Sequence, residues 1–120
     1  MSIVAGKWVG PILDDHFHLN RNGRFIAAAQ DFANAGGTTL RLVHCPDFAN
    51  LPTTATDYSH AYADTVAMAE QVRSEVGLDV RVMLGPHPAA FAHQCLDWEE
   101  EDGESGAERA MELYHESITE

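Results

Sequence analysis

Apolar positions recur along the chain with two periods. Residues 11–19 carry Ile12, Leu13, Phe17 and Leu19 in an alternating run bounded by turn formers, which predicts a first strand. From 24 to 35, Phe25, Ala28, Ala29 and Phe32 fall at helical spacing, and the run stops at Gly36-Gly37, so a helix with a glycine at its carboxyl end is expected. Residues 38–44 are β-branched and apolar, are ended by Pro46, and predict a second strand. A polar loop with Pro52 leads to Asp57, the expected N-cap of a long helix that carries Tyr62, Val66, Ala69, Val72 and Val76 on one side and closes at Gly77. A third strand over 79–84 runs into Gly85-Pro86-His87-Pro88, followed by a short helical turn over 89–93.

Past Leu96 the pattern changes. Residues 97–106 are acidic and glycine-punctuated and are expected to form a solvated loop with Trp98 as its anchor. Residues 107–119 predict a terminal amphipathic helix packed through Ala110, Met111, Tyr114 and Ile118. Strand, helix, strand, helix, strand, helix is the order of a parallel α/β protein, expected here as a single domain over 1–120.

Charge adds one thing to this picture. Nineteen acidic and seven basic residues give a net of −12, and residues 97–120 hold ten of the acids against Arg109 alone. Dense acid with a single lysine, Lys7, resembles the surfaces of proteins adapted to high salt, where screening tolerates it. The same balance argues against a sequence-independent grip on nucleic acid, which draws on clustered Lys and Arg. No run is long and apolar enough for a membrane helix, and the first residues lack the apolar core of a signal peptide, so a cytoplasmic protein is expected. Cys45 and Cys95 lie far apart in no metal-binding spacing and are expected as reduced, packed thiols.

The candidate chemistry is carried by histidine. His16 and His18, two apart on a strand, share a face and can grip one metal ion through neutral imidazoles, with Asp14 at the same parity to orient a ligand or add an oxygen. His16, His18, His44 and His87 all fall at the carboxyl ends of the three strands, where parallel α/β folds place catalytic groups. His44 is expected to bond a neighbouring loop, and His60, His93 and His115 to be solvent-facing helix residues.

The string Asp14-Asp15-His16-Phe17-His18-Leu19 resembles the D-x-H-x-H-L opening strand of the TatD-type metal-dependent hydrolases, a branch of the amidohydrolase-like superfamily. Gly85-Pro86-His87-Pro88 is similar to that family's third-strand G-x-H-P. The resemblance implies a TIM-type (β/α)8 barrel of which this chain holds the first three to four βα units, with a full barrel taking about 250 residues. It also implies a divalent metal (Zn, Mg or Mn) held by His16 and His18, and His87 as a catalytic mouth residue facing substrate phosphate. Small-molecule or nucleic-acid phosphodiesters, or related esters, would be hydrolysed by a metal-activated water. On this reading the carboxyl-terminal half, with the remaining ligands and a catalytic aspartate, is missing, and an isolated chain exposes an unpaired sheet edge. Two other readings stand beside it: an amidohydrolase acting on C–N bonds, separated by the fourth-strand ligand, and a non-catalytic fragment with structural histidines.

Overall fold

The computed structural model describes residues 3–119 and divides the chain into two compact units. The first comprises the chain up to Val43 together with Thr65–Met83; the second comprises His44–Asp64 and the chain from Leu84 onward.

The first unit opens on a hairpin absent from the sequence expectations, β1 (Ile3–Val4) and β2 (Lys7–Trp8), paired antiparallel. Its turn residues Ala5 and Gly6 both take positive φ, 52° and 76°, the conformation that matches the twist of a two-residue hairpin. Three strands then form a parallel sheet in the order β3 (Leu13–Phe17), β4 (Thr39–Val43), β5 (Asp79–Met83). Helix α1 (Phe25–Asn34) joins the first pair, and α2 (Ala55–Glu75) begins two residues before the expected cap and runs toward β5. The cap is Thr54. Its Oγ1 accepts from Asp57 N–H at 3.1 Å, while the Asp57 carboxylate accepts from the N–H groups of Thr53 and Thr54, a reciprocal capping box.

Leu40 and Leu42 of β4 and Val80 of β5 turn one face of this sheet into a core with Ala29 of α1 and Met68, Ala69 and Val72 of α2. Both crossover segments therefore pack on the same face of a sheet whose strands follow chain order. Val66, expected on the packing side of α2, is exposed; the buried face runs through Thr65, Met68, Ala69 and Val72.

The second unit holds a helical hairpin, α3 (Pro88–Asp102) and α4 (Glu104–Thr119). The segment 97–106 is thus not a loop: α3 continues to Asp102, α4 starts at Glu104, and only Gly103 stands between them. Glutamate is a good helix former, and Ala90, Gln94 and Trp98 recur at helical spacing as a buried stripe, which turns an acidic segment into the outer face of a packed helix. Trp98 does anchor the segment. It is buried with Tyr58, Ala110 and Leu113, and the Arg109 guanidinium stacks 4.0 Å from its ring centroid. The packing face of α4 is Ala110, Leu113 and Ser117, while Met111 and Ile118, expected inside, are exposed. Gly106 decides this register: a Cβ there would stand 2.1 Å from the Trp98 carbonyl carbon and oxygen, so only glycine lets the helices approach. Cys95 packs against this cluster, whereas Cys45, expected to be packed, is exposed. No helix among the described residues is long and apolar enough to cross a membrane.

Candidate functional site

His16 lies in β3 and His18 one residue past its end, so the strand presents both at its carboxyl edge. Their Nε2 atoms converge to 3.1 Å, with the rings edge to face and their centroids 4.7 Å apart. His18 Nδ1 lies 2.9 Å from the Val43 carbonyl oxygen. A carbonyl only accepts, so Nδ1 carries the proton, and the lone pair of a neutral His18 sits on Nε2, pointing at His16. This is the arrangement by which a backbone carbonyl fixes a metal-ligating histidine.

Strict alternation would put Asp14 beside His16 on one face. The pairing departs from it: Asp14 aligns with Leu40 and Phe17 with Leu42, so β3 spends three steps where β4 spends two. This bulge sends Phe17 toward the core, where its ring lies 5.8 Å from that of Phe32. Asp14 acts on the main chain, its Oδ1 accepting from His16 N–H at 3.0 Å and holding the irregular turn of the strand. Asp15 is engaged across the sheet, its carboxylate 2.8 Å from Arg41 Nη1.

Zinc–nitrogen bonds of about 2.0–2.1 Å at a tetrahedral angle place two ligand nitrogens about 3.3–3.4 Å apart. The observed 3.1 Å falls a few tenths short, a gap closed by a small rotation of exposed rings. The two Nε2 atoms therefore fit one divalent cation. Among the described residues no group of three or more His, Cys, Asp and Glu side chains gathers at a metal-binding distance, so the chain offers a bidentate pair with open positions for other ligands.

His87 and His44 belong to the second unit. His87 is the N-cap of α3, its Nδ1 accepting from Ala89 N–H at 3.0 Å, and its ring meets the half-exposed Phe48 edge-on at 5.4 Å. His44 is buried, edge-on to Tyr62 at 5.1 Å. His93 approaches Phe48, at 6.4 Å between centroids. Burial raises the Tyr58 and Tyr62 hydroxyls and the Cys95 thiol above their ordinary values, which favours their protonated forms.

Two features had no signal in the sequence reading. The Val43 carbonyl contributes through its main chain, which no residue type announces. A shallow cleft of about 330 Å³ is lined by Asn50, Pro52, Thr53, Asp57 and His60, gathered by the α2 cap and by a hydrogen bond from the Gln94 amide to the Pro52 carbonyl. No family model, curated protein or solved structure matches the chain.

Proposed function

We propose that the chain carries the first-strand half of a divalent metal centre in a TatD-like hydrolase acting on phosphodiester or related ester bonds. The observation that supports this best is the convergence of His16 and His18 Nε2 with the His18 tautomer set by Val43. A divalent cation, when bound, supplies Lewis-acid polarisation of the ester oxygen and lowers the pKa of water toward about 7. The residues of this chain hold and aim. Val43 fixes the His18 ring, Asp14 fixes the His16 main chain, and Arg41 keeps Asp15 paired away from the ligand pair.

The barrel reading is supported by winding: strands in chain order, with both helices on one face, suit a sheet wound in one direction, as in a (β/α)8 barrel, rather than a doubly wound sheet. His87 enters the proposal as a group facing substrate phosphate, a role its cap hydrogen bond leaves to Nε2.

The test is metal content and turnover measured together. Supplied with the carboxyl-terminal half that the resemblance implies, the protein, stripped with chelator and dialysed against zinc or manganese, is expected to retain metal and to hydrolyse an activated phosphodiester. The His16→Ala/His18→Ala variant is expected to lose both while keeping its circular dichroism. Equal metal retention in the variant, or hydrolysis indifferent to metal, would overturn the assignment.

A further inference from the structure

Strand β5 has a strand neighbour on one side only among the described residues. In a parallel ladder alternate residues turn their N–H and C=O groups to alternate sides. Asp79 N–H donates to the Thr38 carbonyl at 3.1 Å, so Asp79, Arg81 and Met83 face β4, and Val80 and Val82 face the free edge. The Val80 carbonyl is occupied there by a side chain. Arg73, in the last turn of α2, donates to it from Nε at 3.1 Å and from Nη2 at 2.5 Å, while its Nη1 is held by Glu70 at 2.6 Å. A guanidinium thus sits on the hydrogen-bonding site that an added strand would need.

The edge beneath it is complementary to itself. If two copies of β5 meet antiparallel with Val80 opposite Val80, the outward amides and carbonyls of Val80 exchange hydrogen bonds, and those of Leu78 meet those of Val82. In this register Asp79 faces Arg81 of the second copy, twice. Both side chains are exposed, 58% and 72%, and lie 3.9 Å apart within the strand, so they are free to exchange partners. Opposite charges directly across a pair stabilise it, and on the other face Val80 meets Val80 while Val82 meets Leu78, apolar pairs throughout. Unguarded edges of this kind are the usual route to strand addition.

We propose that Arg73 is the guard of a self-pairing edge: with its guanidinium on the Val80 carbonyl the chain does not pair through β5, and without it two copies join antiparallel about Val80. No residue of the pair His16 and His18 takes part, and the inference concerns this 120-residue chain, because the barrel reading places the next strand on this same β5 edge.

Sedimentation of the full chain tests it, with amide hydrogen exchange as the site-specific readout. Arg73→Ala is expected to dimerise at least about tenfold more tightly than the unaltered chain, with new protection at the Val80 and Val82 amides. Adding Arg81→Asp, which sets like charges opposite one another, is expected to cancel that gain. The further exchange Asp79→Arg, completing a charge swap, is expected to restore it. Should Arg73→Ala unfold, Arg73→Lys, which keeps the charge but cannot fork onto one carbonyl, serves in its place with a smaller gain. The proposal is overturned if the guard variants sediment like the unaltered chain. It is equally overturned if their dimer ignores Arg81→Asp or leaves Val80 unprotected, which would place the association on another surface.

Discussion

The hydrogen bond from His18 Nδ1 to the Val43 carbonyl gives the second histidine its direction, and the bulge at residues 14–17 gives the first its place. The spacing of His16 and His18 was legible, because two residues apart at a strand end is a pattern visible in letters. The role of Asp14 was not, because the extra residue in β3 is defined only against its pairing with β4. His87 shows the same division: its position before Pro88 is readable, its cap bond is not. His87→Ala should lower stability by about 1 kcal/mol in denaturant titration, and His87→Ser should recover it by restoring the acceptor for Ala89 N–H. If turnover recovers with stability, His87 acts only as a cap; if it stays low, the imidazole itself is needed. Asp57 makes a pH prediction. The Thr53 main-chain N–H, against a smaller opposing effect of desolvation, holds its carboxyl below the ordinary 3.8. Its folded value being the lower one, its contribution is fully present above pH 3.8 and lost as pH falls through the folded value. Melting temperatures of Asp57→Asn and the unaltered chain should therefore differ at neutral pH and converge in strong acid; a constant gap would contradict the capping role.

Strands β3, β4 and β5 and helix α1 stand within a residue or two of their expected places, because alternation, helical spacing and flanking glycine or proline all agree there. The failures cluster in α3 and α4. Composition read 97–106 as solvated, yet helix propensity and the buried Ala90, Gln94 and Trp98 stripe prevail over the charge. In α4 two apolar stripes run side by side with the same spacing, one through Ala107, Met111, Tyr114 and Ile118, the other through Gly106, Ala110, Leu113 and Ser117. Hydrophobicity favours the first. Close approach selects the second, since Gly106 is the one position where α4 can lie against the Trp98 backbone. Gly106→Ala should therefore cost about 1–3 kcal/mol in urea unfolding, although an ordinary helical glycine gains from this change. A neutral or stabilising outcome would mean the two helices are not in that contact.

At the scale of the chain, acid and chemistry are separated along the sequence. Ten of the nineteen acids fall in residues 97–120, while His16 and His18 lie in the first unit, which also holds five of the six arginines. The net charge thus describes the surface of the second unit and says little about what the histidine pair binds. Parallel α/β order was legible because each apolar run alternates with a helical one; the division into two units was not, because it falls inside α2, where the sequence shows one unbroken helix. The central claim, that His16 and His18 take one cation through Nε2, is tested most directly by nitrogen-detected NMR of the seven imidazoles during zinc titration. The Nε2 resonances of His16 and His18 are expected to shift together at the first equivalent, while the His18 Nδ1–H keeps its hydrogen-bonded signature. Shifts confined to other histidines, or a His18 that binds through Nδ1, would contradict it.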